Sequence, residues 1–188
     1  MKFCFLYIIS FAFTGELSAQ YDSTSIFIIE DAIRNGKDVN RIIYTDTSLT
    51  YYRPFSDKVS KNKIVGFKDT TKVVFKLSKS EIKFIDKEFK KIQRIAWNPN
   101  MFANSLMIAG DSILKIFSDA AEGKEFLEKN FAKNYFLFSQ PVYFRNGSFA
   151  VFRLIELYRP VEGYDLLYFY HNIEGKWQQY MMAYLGAW

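Results

Sequence analysis

The chain reads as an α+β fold: helices in its N-terminal and middle parts, then a C-terminal antiparallel β-meander of four or more strands across Phe136–Trp188. Three observations predict this. Two turn signals, Asn146-Gly147 and Ile173-Glu174-Gly175, punctuate a C-terminal stretch rich in aromatic and β-branched residues. The box Ser78-Lys79-Ser80-Glu81 precedes a strongly amphipathic run. A shorter run ahead of Gly36 has its apolar residues at helical spacing.

The first nineteen residues read as an export signal. Lys2 supplies a positive start, Phe3–Phe13 an apolar run, and Leu17-Ser18-Ala19 a small-residue cleavage box before Gln20. That apolar run is far shorter than the roughly 20 residues a spanning helix needs. No later segment is long and apolar enough to span, so the mature chain is expected to be secreted or periplasmic after cleavage near Ala19. Cys4 falls inside the signal, and residues 20–188 then hold no cysteine. A chain of that length forms one domain and buries roughly two thirds of its unfolded surface without covalent staples. The net charge of +5 permits contact with anionic surfaces but does not call for nucleic acid.

Along the mature chain, Ser25–Asn35 places Ile26, Ile29, Ala32 and Ile33 on one helical stripe, with Gly36 as the stop. Arg41–Thr45 fits a strand. Asp46–Asp69 is polar and too long for a bare loop, so short strands are expected at Leu49–Arg53 and Lys63–Phe67. Thr71–Leu77 alternates with β-branched residues and predicts a strand. The capping box then opens a helix over Lys79–Ala96. Ile82, Ile85, Phe89, Ile92 and Ala96 share one arc; Lys83, Lys87, Lys90 and Arg94 share the opposite one. Met101–Ala109 suits a strand or an ordered loop. Asp111 is expected to cap a helix through Phe117, and Gly123 to divide it from a second helix over Lys124–Lys133.

In the meander, a two-residue Asn146-Gly147 turn pairs Arg145 with Ser148, Phe144 with Phe149 and Val142 with Val151. Pro141 marks a strand start or an edge. Phe149–Tyr158 is apolar on both faces, as a strand covered on both sides must be. A three-residue Ile173–Gly175 loop would pair Asn172 with Lys176. His171 then faces Trp177, Tyr168 faces Tyr180, and Tyr164 faces Tyr184. Period two puts Leu167, Phe169, Trp177 and Met181 on one side, and Tyr164, Tyr168, Tyr180 and Tyr184 on the other.

The chemistry within reach is narrow. His171 is the one histidine, so a serine triad has a single candidate base, placed mid-sheet beside an indole. No phosphate loop, dinucleotide fingerprint or His/Cys zinc pattern is present, and no cofactor or metal is implied. Glu156 interrupts an otherwise apolar strand; with Glu162 and Asp165 it flanks one inter-strand loop. Beside tyrosines such a carboxylate is either held by hydroxyl donors and functional, or an outward charge near a strand end. Tyr164, Tyr168, Tyr180 and Tyr184 make an amphipathic platform that suits a sugar or an apolar ligand, unless helices cover it. The basic arc Lys83, Lys87, Lys90, Arg94 suits lipid phosphate, lipopolysaccharide or an acidic partner, or is simply solvated.

The segments Phe138-Ser139-Gln140-Pro141-Val142-Tyr143-Phe144, Asn146-Gly147, Ala150, Gly163 and Glu174-Gly175-Lys176-Trp177, with the Leu-Ser-Ala-Gln cleavage site, resemble a group of uncharacterised secreted proteins of Bacteroidota-type bacteria. The resemblance covers about a third of the chain. It implies an address and a fold type rather than a mechanism. It also implies O-glycan acceptors at Asp22-Ser23-Thr24, Asp69-Thr70-Thr71 and Asp111-Ser112-Ile113. Three functional expectations follow. The first is a non-enzymatic exported module binding a small molecule, glycan or envelope protein through the aromatic sheet face. The second is a carboxylate-based hydrolase of an envelope polymer, with Glu156 or Asp165 as acid or base. The third is a structural envelope protein.

Overall fold

The computed structural model describes residues 22–34, 37, 39–48, 54–92, 96–159 and 162–187. The expected export signal, the strand expected at Leu49–Arg53, Arg94 and Trp188 lie outside them. Among the described residues the fold is α+β. Four helices, α1 (Ser23–Arg34), α2 (Lys79–Ile92), α3 (Gly110–Ile116) and α4 (Ala120–Lys129), pack on one nine-stranded sheet. Its strands are β1 (Ile42–Thr45), β2 (Lys63–Lys68), β3 (Thr71–Lys76), β4 (Ser105–Ile108), β5 (Tyr135–Phe138), β6 (Val142–Phe144), β7 (Phe149–Arg159), β8 (Glu162–Ile173) and β9 (Lys176–Ala187). The order is β3-β2-β9-β8-β7-β5-β1-β4, with β6 beside β7. β1 runs parallel to both β4 and β5. The pairings from β5 through β7, β8 and β9 to β2 and β3 are antiparallel.

Alternation along β7 sorts the core into two faces. Phe152 and Leu154 pack with Ile28, Ile29 and Ile33 of α1, and with Phe136 and Tyr168. Val151 packs the other way, with Ile85 and Phe89 of α2, Phe75 of β3, and Phe169 and Met181. Further along that second face, Ile155 meets Ile113 and Phe117, Leu127 of α4 and Tyr135. Both sides of β7 are thus covered, as the apolar residues on each of its faces require.

The capping box forms as expected: Ser78 N donates to Glu81 Oε2 at 2.6 Å, and Glu81 N to Ser78 Oγ at 3.2 Å. Arg145 ties this helix start to the first hairpin. Its Nε donates to Glu81 Oε1 at 2.6 Å, and the guanidinium lies 4.7 Å from the centre of the Phe75 ring. Arg145 holds the Glu81 carboxyl below the ordinary glutamate range, ahead of the smaller effects of burial and of Ser78.

Three helix boundaries differ from expectation. The helix expected to run on to Ala96 is described to Ile92, and Ala96 pairs instead with Thr47 in an isolated antiparallel bridge. Asp111 is not the cap of α3; Asp46 Oδ1 accepts from Gly110 N at 3.0 Å instead. Gly123 does not divide two helices but sits inside α4. That helix starts at Asp119, whose side chain accepts from Ala121 N at 2.7 Å and Glu122 N at 3.0 Å. The small residue is needed for packing, because a Cβ on Gly123 would stand 2.7 Å from the Phe117 ring.

The first C-terminal hairpin has the expected register at Val142 on Val151 and Phe144 on Phe149, but Arg145, at φ 51°, belongs to the turn and does not pair with Ser148 in the ladder. The second does not. Glu174 and Gly175 have φ of 53° and 82° and close a two-residue turn that pairs Ile173 with Lys176. The ladder then slips twice, between Phe169 and Tyr170 and between Asp165 and Leu166. Tyr168 therefore faces Met182, Tyr164 faces Ala187, and His171 faces Gln178. Trp177 turns to the α1 face, half-buried, its ring 5.5 Å from that of Tyr143.

Candidate functional site

Beyond the reach of α1, the α1 face of the sheet opens into a pocket of about 510 Å³. β7 contributes Glu156, whose partner across the ladder is Tyr164 of β8. Period two then brings Leu166 and Tyr168 to the same side, and Tyr184 of β9 lies opposite Leu166. The Tyr164 and Tyr184 rings meet edge to face at 6.1 Å. These two phenols form the lip, 46% and 53% exposed, while Tyr168 is buried at 5%. Four of the residues expected to form the site, Glu156, Tyr164, Tyr168 and Tyr184, line this one pocket.

Glu156 is not held by tyrosine hydroxyls, nor is it an outward charge. It is 6% exposed. Lys37 Nζ donates to its Oε2, and Asn134 Nδ2 to its Oε1 at 2.6 Å. The carboxylate is thus neutralised and hydrogen-bonded where burial would otherwise be costly. Burial raises the Tyr168 phenol well above its ordinary range, and the charges of Glu156 and Asp31 push it the same way. Tyr168 is therefore a neutral hydroxyl at any physiological pH. Next along the strand face, Tyr170 donates to Asp31 Oδ2 at 2.7 Å and is raised too, first by burial.

Tyr180 does not belong to this group. It lies on the α2 face, 5.3 Å ring to ring from Phe75 and 5.7 Å from Phe149. The slip beside Phe169–Tyr170 puts Tyr180 and Met181 on the same side. Asp165 also faces away from the pocket. It is 3% exposed and accepts from Arg153 Nε at 2.7 Å, with a second bond from the same guanidinium. Glu156 and Asp165 thus sit on opposite sides of the sheet, and the acid–base pair expected of a hydrolase does not form between them. Glu162 pairs with Arg159 in the ladder. His171 stacks on Phe149 at 4.2 Å and 7°; among the described residues no hydrogen bond or ion pair links it to a carboxylate. Lys83, Lys87 and Lys90 are exposed on the outer side of α2, across the sheet from the pocket.

Lys37 and Asn134 had no signal in the sequence. They come from the segment after α1 and the segment before β5, 119 and 22 residues from Glu156. Among the described residues no three His, Cys, Asp or Glu side chains gather as a metal site requires. No helix among them is long and apolar enough to cross a membrane. No family model, curated protein or solved structure matches this chain.

Proposed function

We propose that the protein is a non-enzymatic, exported binding module that takes a small ring-bearing ligand in the pocket between Tyr164 and Tyr184. One observation carries this reading: three tyrosines and a buried, neutralised carboxylate line a single open pocket of about 510 Å³. Small-molecule sites run roughly 300–1,000 Å³ and combine apolar walls with a few placed polar groups. Here the walls are phenol rings with Leu166 and Met182, and the polar groups are Glu156, Asn134 and Lys37. The rings offer their faces to the apolar side of a sugar or to a flat ring. The Lys37–Glu156 pair offers both a donor and an acceptor, and Lys133 also lines the pocket, a set that suits a hydroxyl-bearing ligand.

Amide NMR titration with chitin and maltose oligosaccharides, and with an anilinonaphthalene dye as the apolar probe, tests the proposal. Binding is expected to shift resonances around Tyr164, Tyr168 and Tyr184. Tyr184→Ala should weaken it roughly two- to tenfold, the scale of one aromatic contact. Tyr180→Ala, on the other face, should leave it unchanged. No response to any probe, or binding indifferent to Tyr184→Ala, would discard the pocket and favour a structural envelope role.

A further inference from the structure

The β2–β3 hairpin presents an exposed face of mixed character. Across its ladder Lys63 pairs with Lys76, Val65 with Val74 and Phe67 with Lys72. Ile64 and Phe75 point to the α2 core, so these six residues point the other way. Val65, Phe67 and Val74 are 48%, 43% and 47% exposed. Among the described residues none of the three lysines is in an ion pair. Residues 61–76 carry five lysines against the single acid Asp69, which accounts for most of the chain's net charge.

We propose that this face docks the protein on an anionic phospholipid surface. Apolar side chains framed by unpaired lysines fit the boundary between lipid headgroups and acyl chains. Phe67, Val65 and Val74 enter the apolar edge, while the ammonium groups meet phosphate. The charge pattern argues against a second copy as the occupant, because a two-fold contact through this patch would bring lysines against lysines. It also separates the hairpin from α2. There Lys83, Lys87 and Lys90 are interspersed with Asp86 and Glu88, and Glu88 is paired with Lys91 at 2.6 Å. The proposal does not depend on the pocket holding a ligand.

Cosedimentation of the full chain with vesicles of phosphatidylglycerol, and with vesicles of phosphatidylcholine, tests it. Binding to phosphatidylglycerol alone is expected, weakening as salt is raised. Each lysine lost should weaken it roughly fivefold, so the triple variant Lys63→Gln/Lys72→Gln/Lys76→Gln should bind about a hundredfold more weakly. Phe67→Ser should weaken it severalfold at unchanged charge, with circular dichroism reporting an intact fold. Lys83→Gln/Lys87→Gln/Lys90→Gln should bind like the parent. The proposal falls if the hairpin variants bind unchanged or if binding follows the α2 variant. It falls equally if Phe67→Ser is silent while polyglutamate competes fully, or if Phe67→Ser abolishes a dimer rather than vesicle binding.

Discussion

Strands β7 and β8 carry one buried carboxylate to each side of the sheet, and the two are held in contrasting ways. Asp165 faces α2. It is gripped by Nε and Nη2 of Arg153, and side-chain exposure is 4% and 7% for the pair. Glu156 faces the pocket, and its cationic partner Lys37 keeps 29% of its side chain exposed. Arg153 comes from the same strand pair, whereas Lys37 arrives from the segment after α1. One carboxylate is sealed into the framework; the other is propped at the edge of an opening. The contrast shows that burial of the acid alone does not distinguish a structural charge from a site group. What distinguishes them is whether the partner can still reach water.

The sealed pair should respond most strongly to substitution. Arg153→Ala strands the Asp165 carboxylate in the core and is expected to cost about 3–5 kcal/mol in urea unfolding. An apolar replacement of both residues should cost less than that single change, since it removes the uncompensated charge. A loss below about 1 kcal/mol for Arg153→Ala would mean that water reaches Asp165, and the distinction between the faces would collapse. A smaller effect tests the seal itself. β2 closes on β9 at Gly66, where a Cβ would stand 2.5 Å from the Met182 carbonyl oxygen. Gly66→Ala should push the hairpin outward and cost about 1–3 kcal/mol. Amide exchange is expected to quicken in β2 and β3 while β7 and β8 stay protected. Uniform loss of protection would show that the hairpin is integral to one cooperative unit.

How much of this was legible in the sequence depends on which hairpin is considered. Asn146-Gly147 announces positive φ; Arg145 joins them at φ 51° without advertising it, yet no slip separates Phe144–Phe149 from Val142–Val151, so pairing by counting succeeds there. Glu174 takes the left-handed conformation without being the residue type that advertises it. The turn is thus one residue shorter than its composition suggests. Tyr180 lies between that error and the slip beside Phe169–Tyr170, so its face is inverted, as is that of Trp177. Tyr184 lies beyond both, and two single-residue offsets restore its parity. The run Tyr180-Met181-Met182 is apolar throughout and carries no alternation that would mark a bulge. The α+β class, the capping box and the two-sided burial of β7 were readable because each rests on local spacing. Lys37, Asn134 and Arg153 were not, because their roles exist only once distant segments meet.

The mildest change is the one that bears most directly on the pocket. Glu156→Gln keeps the shape of the side chain and still lets an amide oxygen accept from Asn134. Lys37 loses its carboxylate, but it already touches solvent and can turn outward, so the expected cost is about 1 kcal/mol. Removing the charge also removes one of the influences that raise the Tyr168 phenol. Its ionisation should therefore move toward lower pH in NMR of tyrosine-labelled protein, with burial still holding it above the ordinary range. A stability loss near that of Arg153→Ala would show Glu156 to be sealed as firmly as Asp165, leaving no opening on its side for a ligand to enter. A Tyr168 resonance blind to the substitution would separate the phenol from the carboxylate and dissolve the polar end of the pocket.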